Sequence, residues 1–208
     1  TLFRSVSQMA PHWVRQVVKP LIELLAGIPS VVLGFFALMV LATWMQQLFQ
    51  YSSRLNALVA GVALGLAVLP VVFTIAEDAL RAVPNSYKEA AIAWGASRFE
   101  VTLRVVVPAA MPGIFAAIVL GFGRAIGETM IVLMASGNAW LLTWNPAESA
   151  RPLTASIAAE LAETVRGGHH YQVLFFLGTM LFAITFLTNY FGSTVIQRMR
   201  EKMTGKRR

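Results

Sequence analysis

Two oppositely charged residues, Arg124 and Glu128, lie in an apolar stretch long enough to cross a membrane, residues 111–137. An ionisable residue at membrane depth is costly, so it marks a candidate functional site whose partner has to be identified. If the stretch is one continuous helix, residues four apart share a face and can pair. A guanidinium binds anions through parallel hydrogen bonds. These residues therefore predict a role in moving an anion across a bilayer.

The elements that must position this pair are membrane-spanning helices. Hydrophobic residues make up 57% of the chain and charged residues 13%, whereas soluble domains are about 25% charged. The roughly 20 apolar residues that a span requires occur in four segments: residues 24–48, 56–76, 109–136 and 171–196. The sequence therefore predicts an all-α integral membrane protein that forms a single transmembrane domain over residues 1–208.

The distribution of basic residues predicts the orientation of these spans. The formal net charge is +7, and basic residues concentrate before the first span, between the second and third, and after the fourth. By the positive-inside rule, both termini and the loop between the second and third spans face the cytoplasm. The basic tail, residues 199–208, then contacts anionic lipid. The charge pattern is a topology signal and predicts no nucleic-acid partner.

The connector between the third and fourth spans, residues 137–170, is predicted to be external. A short helix is expected after Pro152, with Thr154 as its candidate cap. No carboxylate or third histidine stands at ligand spacing from His169 and His170, so we expect an exposed turn and no metal site. The chain also lacks cysteine, a nucleophile–base pattern and a G-x-x-x-x-G-K-[ST] phosphate loop. The sequence predicts no enzyme active site and no cofactor of its own.

Glycine and proline predict where helices bend and pack. Gly61 and Gly65 have the small-xxx-small spacing that lets helices approach closely, and so do Gly123 and Gly127. Pro29 predicts a bend or break at the start of the first span.

The cytoplasmic loop, residues 84–108, contains start and stop signals for two helices. Gly95 suits the left-handed position just after a helix. Pro84 is expected to end the preceding helix, and Pro108 to set the start of the third span. The first short helix either docks on another protein or lies on the lipid surface. Two pairs match the capping box: Ser86 with Glu89, and Ser97 with Glu100.

The spacing in this loop resembles the EAA motif of ABC importer permeases. The motif falls on Glu89, Ala90, Ala91, Gly95, Val105, Val107 and Pro108. The two valines replace an isoleucine and a leucine of the family pattern. The resemblance implies that the loop is a coupling helix docked on a separate ATPase subunit through Glu89, Ala90, Ala91 and Gly95. It also implies that ATP and Mg²⁺ bind to that partner.

Three further strings resemble the phosphate-specific (Pst-type) importer permeases: residues 20–36, 123–138 and 170–189. The resemblance implies the type I importer permease core, here with four transmembrane helices and without the family's N-terminal helices, in a bacterial inner membrane. It implies these partners: a second permease subunit, similar or identical, two ATP-binding subunits, and a periplasmic or lipid-anchored phosphate-binding protein.

The residue types agree with phosphate as the substrate. The planar guanidinium of Arg124 suits bidentate binding of phosphate oxygens. An ionised Glu128 would accept a hydrogen bond from monohydrogen phosphate and repel sulfate, which has no such proton. Thr129 would add a hydroxyl to the pathway, as would Ser30 and Ser136.

Three alternatives remain open at this point. In the first, Arg124 and Glu128 only neutralise each other between helices, where desolvation offsets most of their attraction. In the second, the substrate is another oxyanion, such as sulfate, molybdate or phosphonate. In the third, the chain is a membrane subunit that signals phosphate status.

Overall fold

The structure, a computed structural model, describes residues 12–204 of the 208-residue chain. Arg4 and the end of the basic tail, on which part of the topology prediction rests, lie outside these residues. In chain order the helices are α1 (His12–Gly27), α2 (Ser30–Phe49), α3 (Ala57–Arg81), α4 (Asn85–Ala93), α5 (Arg98–Gly127), α6 (Met130–Ala135), α7 (Leu153–Glu160) and α8 (His169–Thr204).

Four of the described helices are long and apolar enough to cross a membrane: α2, α3, α5 and most of α8. This confirms the all-α membrane class. Their limits differ from the predicted spans, since α3 continues beyond residue 76 to Arg81 and α5 begins at Arg98. Hydropathy marks the apolar part of a helix, whereas its hydrogen bonds continue into polar flanks until a breaking residue.

Pro29 separates α1 from the first membrane-length helix, as predicted. The φ and ψ angles of Pro29 are −59° and 142°, so it stands outside the helix that follows. Its carbonyl accepts hydrogen bonds from the amides of Val32 (3.0 Å) and Leu33 (3.2 Å), which starts α2. The span therefore begins at Ser30 and not at residue 24.

Contacts in the described part of the chain divide it into two compact units, a division that the sequence did not indicate. The first unit contains residues 12–26, 69–121 and 189–204. The second contains residues 27–68 and 122–188. Both are apolar, so hydropathy carries no signal for the boundary between them.

The core of the second unit is built from α2, α3 and α6, and its close helix contact depends on Gly34. A Cβ atom at Gly34 would lie 3.1 Å from the carbonyl oxygen of Met130 and 3.2 Å from the Cα of Ile131. In contrast, Gly61, Gly65 and Gly127 meet nothing within 4 Å in the described chain. The predicted packing role of these three is therefore wrong within this chain, because spacing does not reveal which face of a helix is covered.

The loop over residues 84–108 forms two helices joined by a glycine turn, as predicted, in the first unit. Gly95 has a φ of +81°. Its amide donates to the Ile92 carbonyl at 2.9 Å, and the Ala96 amide donates to the Ala91 carbonyl at 3.1 Å. This bond pattern is the Schellman motif, which satisfies the last carbonyls of α4 and fixes the turn.

Only one of the two predicted capping boxes forms. The Ser97 hydroxyl accepts from the Glu100 amide at 3.3 Å, and a Glu100 carboxylate oxygen accepts from the Ser97 amide at 3.0 Å. Helix α4, however, begins at Asn85 with Pro84 at its N-cap position and no side-chain cap. The prediction for Ser86 is wrong because Pro84 starts the helix earlier, which places Ser86 inside the first turn.

Pro108 lies inside a continuous helix, so the prediction that it marks the start of the third span is also wrong. Helix α5 runs from Arg98 to Gly127. Residues Val101–Val106, which end two positions before Pro108, are a π-helical segment. A wider turn of this kind accommodates the missing amide and the ring of a proline without ending the helix.

Candidate functional site

The predicted span over residues 109–136 is interrupted at the acidic residue. Helix α5 ends at Gly127 and α6 begins at Met130. A Glu128 carboxylate oxygen accepts from the Thr129 amide at 3.2 Å, and the Thr129 hydroxyl donates to the Gly127 carbonyl at 3.3 Å. Such local side-chain bonds compete with helical hydrogen bonds, and glycine weakens the helix further. These residues therefore produce a break where hydropathy predicted one helix.

A threonine from α7 satisfies the backbone at this break. The Thr154 hydroxyl donates to the Glu128 carbonyl at 3.1 Å, and Thr154 is buried. Non-helical backbone at membrane depth is tolerated only where the protein supplies such partners. The N-cap of α7 is Pro152, without a side-chain bond. The prediction of Thr154 as a cap is therefore wrong, and its hydroxyl stabilises the break instead.

Replacing Thr154 with valine is expected to lower the free energy of unfolding by about 1–3 kcal/mol, because the Glu128 carbonyl loses its partner while the side-chain shape is kept. Thermal unfolding of the purified protein in detergent would measure this. Thr179→Val is the matched control, since the exposed Thr179 hydroxyl bonds only to the Phe175 carbonyl of its own helix. Equal stability of the two variants would contradict the role of Thr154.

The structure does not join Arg124 and Glu128 in a salt bridge. Arg124 is exposed on the last turn of α5, and Glu128 is half-buried in the break. Among the side chains described, Arg124 makes no ion pair within 4.0 Å. The expectation that both share one helical face is wrong, because α5 ends between them. Mutual neutralisation is therefore not the arrangement in this structure.

Glu128 lines a cavity of about 360 Å³ in the second unit. Its other polar side chains are Ser136 and Thr154, and apolar residues of α3 and α8 complete the wall. Neither Arg124 nor Thr129 is among the lining residues. Of the residues predicted to contact a substrate, the fold thus brings Glu128 and Ser136 to one cavity and leaves Arg124 exposed outside it.

A polar cluster in the connector was missed by the sequence analysis. Glu160 forms an ion pair with Arg151, and one of its carboxylate oxygens lies 2.8 Å from Nε2 of His170. The Arg151 guanidinium stacks 4.1 Å from the centre of the Trp140 ring. His169 and His170 begin α8 and are not the predicted turn. No group of three potential metal ligands occurs in the described residues.

The predicted coupling residues lie on an accessible surface formed by α4 and the glycine turn that follows it. Glu89, Ala90 and Gly95 are exposed, and Ala91 is half-buried. Trp94, next to Gly95, is 92% exposed, which the sequence analysis did not single out. An exposed tryptophan directly after a short helix favours contact with another protein.

Comparison with known proteins identifies the family. The sequence matches the family described as "binding-protein-dependent transport system inner membrane component" over residues 6–201. The chain belongs to this family. The description of this family, a transport component of the inner membrane, agrees with the prediction of a transporter subunit.

Relatives with curated names cover most of the chain. It is 38% identical to "Probable ABC transporter permease protein YqgH" of Bacillus subtilis, over 88% of this chain and 59% of the relative. It is 35% identical to "Phosphate transport system permease protein PstC" of Mesorhizobium japonicum (88% and 61%) and 31% identical to the protein of that name from Xylella fastidiosa strain 9a5c (95% and 66%). The chain therefore spans about three fifths of the length of the first two relatives.

Solved structures agree on the fold. The chain is similar to a chain of the MetNI methionine ABC transporter, in an inward-facing conformation, with a TM-score of 0.68. The alignment covers 89% of this chain and 76% of that one at 17% identity. This confirms the importer permease fold that the family resemblance implied.

Proposed function

We propose that this chain is a permease subunit of an ATP-driven importer in the bacterial inner membrane and forms part of a pathway for inorganic phosphate. The observation that carries the proposal is Arg124, exposed at the end of a membrane-length helix and next to a backbone break. Similarity to proteins named as phosphate transport permeases supports the choice of anion. A guanidinium at this depth attracts an anion and binds its oxygens in a bidentate manner.

Arg124, Glu128 and Thr129 would then contact the substrate in succession. Arg124 would bind the charged oxygens, and the Glu128 carboxylate would accept a hydrogen bond from the P–OH group. Sulfate presents only acceptors to the same carboxylate and would be repelled. The Thr129 hydroxyl, which donates to Gly127 in this structure, can accept a second hydrogen bond from the substrate.

The energy for transport would come from partner subunits. Helix α4, through Glu89, Ala90, Ala91 and Gly95, would dock on one of two ATP-binding subunits that hold ATP and Mg²⁺. A second permease subunit, similar or identical, would complete the membrane part, and a periplasmic or lipid-anchored protein would deliver phosphate. Both termini and α4 would face the cytoplasm, as the positive-inside rule predicts.

ATP-driven uptake in proteoliposomes that hold the full complex tests this function. We expect phosphate uptake that depends on ATP and on the binding protein, and that excess sulfate does not inhibit. Uptake of sulfate, molybdate or phosphonate in place of phosphate would reassign the substrate. Absence of all uptake, together with intact reporting of phosphate status in cells, would favour the signalling alternative.

Replacing Glu89 with lysine tests the coupling helix. Charge reversal on the exposed face of α4 is expected to lower phosphate uptake at least about 10-fold, as the loss of an interface charge pair would. The permease should remain folded because Glu89 is exposed and makes no ion pair among the described side chains. Co-purification of the ATPase and stimulated ATP hydrolysis should fall together. Ser86→Ala, exposed on the same helix, is the control, and normal coupling in Glu89→Lys would contradict the docking role.

A further inference from the structure

Besides Glu128, the cavity beside the helix break contains a polar group, the Ser136 hydroxyl, that has no hydrogen-bond partner among the described residues. We propose that Ser136 is a substrate-binding residue which, together with Glu128, selects phosphate in its protonated form. This inference rests on the proposed function and adds to it a specificity site distinct from Arg124.

Ser136 is buried with an unsatisfied hydroxyl. It is 1% exposed, and its Oγ has no hydrogen-bond partner within residues 12–204. A buried hydroxyl without a partner destabilises a protein, and apolar replacements of the same size avoid that loss. A ligand that forms a hydrogen bond with this hydroxyl would account for its presence. The cavity that Ser136 lines provides the space for such a ligand.

The backbone holds this hydroxyl in a fixed position. The Ser136 amide donates to the Val132 carbonyl at 3.0 Å, and its carbonyl accepts from the Ala150 amide at 3.0 Å. The next residue, Gly137, forms an isolated bridge with Ala150. A side chain on a backbone anchored from both directions is preorganised for binding, because little entropy is lost when a ligand arrives.

The chemistry of the cavity matches a protonated oxyanion. Glu128 offers a carboxylate, which accepts hydrogen bonds, and the Ser136 hydroxyl both donates and accepts. No lysine, arginine or histidine is among the lining residues. A fully ionised anion would therefore meet only repulsion from Glu128. Monohydrogen phosphate carries the same two negative charges as sulfate, but it can donate its O–H to Glu128 and accept from Ser136, so the cavity recognises the proton that sulfate lacks.

A stability measurement combined with kinetics tests the proposal. Ser136→Ala removes an unpaired hydroxyl, so the melting temperature of the complex should stay equal or rise. The KM for phosphate should increase about 10-fold, the loss expected for one hydrogen bond to a charged group, and discrimination against sulfate should weaken. Thr179→Ala, at an exposed hydroxyl bonded within its own helix, is the control. A lower melting temperature with unchanged KM would indicate a structural hydroxyl and overturn the proposal.

Chemical protection gives an independent readout of binding. The chain has no cysteine, so Ser136→Cys introduces the only thiol of this subunit, and its modification is resolved by the subunit's mass. Phosphate should protect this thiol from a small methanethiosulfonate reagent, and sulfate should not. Protection by Na⁺ alone would assign the cavity to a cation and overturn the proposal, as would an unreactive or unprotected thiol. If wild-type uptake of phosphate is normal in that case, the proposed function stands without this site. Absence of wild-type uptake overturns both.

Discussion

Replacing Arg124 with glutamine is expected to lower ATP-driven phosphate uptake at least about 100-fold, the loss seen when one preorganised donor to an oxyanion is removed. The complex should still assemble. Arg124 is exposed and makes no ion pair among the described side chains, so its removal leaves no buried carboxylate of this chain without a partner. Radiolabelled phosphate uptake in proteoliposomes, together with the basal ATPase rate, would measure both effects.

Arg124→Lys and Arg104→Gln refine this experiment. Lysine keeps the charge but not the bidentate geometry, so uptake should be intermediate. Arg104 lies near the start of the same helix, and its side chain is 80% exposed beside Glu100 at 3.7 Å. Exposed pairs of this kind contribute little, so Arg104→Gln should transport normally. Normal transport by Arg124→Gln would exclude Arg124 from the pathway, and loss of assembly would indicate a structural charge.

Replacing Gly137 with alanine is expected to lower the free energy of unfolding by about 2–4 kcal/mol, from left-handed strain and from overpacking. The φ of Gly137 is +84°, and an added Cβ would lie 2.7 Å from the Leu55 carbonyl oxygen and against the Ser149 hydroxyl. That hydroxyl bonds to the same carbonyl at 2.6 Å and lies 2.8 Å from the Ser53 hydroxyl. The substitution would push Ser149 away from Ser53 and Leu55, which are far from it in the sequence and are joined to it by these hydrogen bonds.

Gly167→Ala separates the two causes of this loss. Gly167 also has a φ of +84°, but an added Cβ there meets nothing within 4 Å. It should therefore show only the backbone strain, about 1–2 kcal/mol. Thermal unfolding of both variants in the same detergent gives the comparison. If Gly137→Ala and Gly167→Ala lowered the free energy of unfolding equally, the contact of the added Cβ with Leu55 and Ser149 would contribute nothing to the loss of stability.

The features that the sequence predicted correctly are local ones. The four apolar segments, the break at Pro29, the left-handed Gly95 and the Ser97–Glu100 capping box each depend on residues within one or two turns. In such cases, backbone sterics and nearby hydrogen bonds decide the conformation without help from the rest of the chain.

Local signals failed where two of them competed. Pro84 is expected from the sequence only to end the preceding helix, and Ser86 to cap the next one. In the structure Pro84 itself stands at the N-cap position, and a helix that begins at Asn85 leaves no N-cap position for Ser86. Across residues 109–136, hydropathy predicted one span, but the side chains of Glu128 and Thr129 bond to the adjacent backbone and end the helix. The apolar average over a window does not contain this information.

By itself, the sequence determined the membrane class and the importer permease resemblance, because composition and short spacings encode them. The coupling loop and the pathway role of Arg124 and Glu128 stay predictions. Only the tertiary structure decided that these charges do not pair. It also decided that Thr154 satisfies the Glu128 carbonyl and that Ser136 lines the cavity beside Glu128. The reason is physical: contacts between residues far apart in the chain depend on which helix faces meet. In a membrane protein almost every face is apolar, so hydrophobic patterning cannot distinguish them.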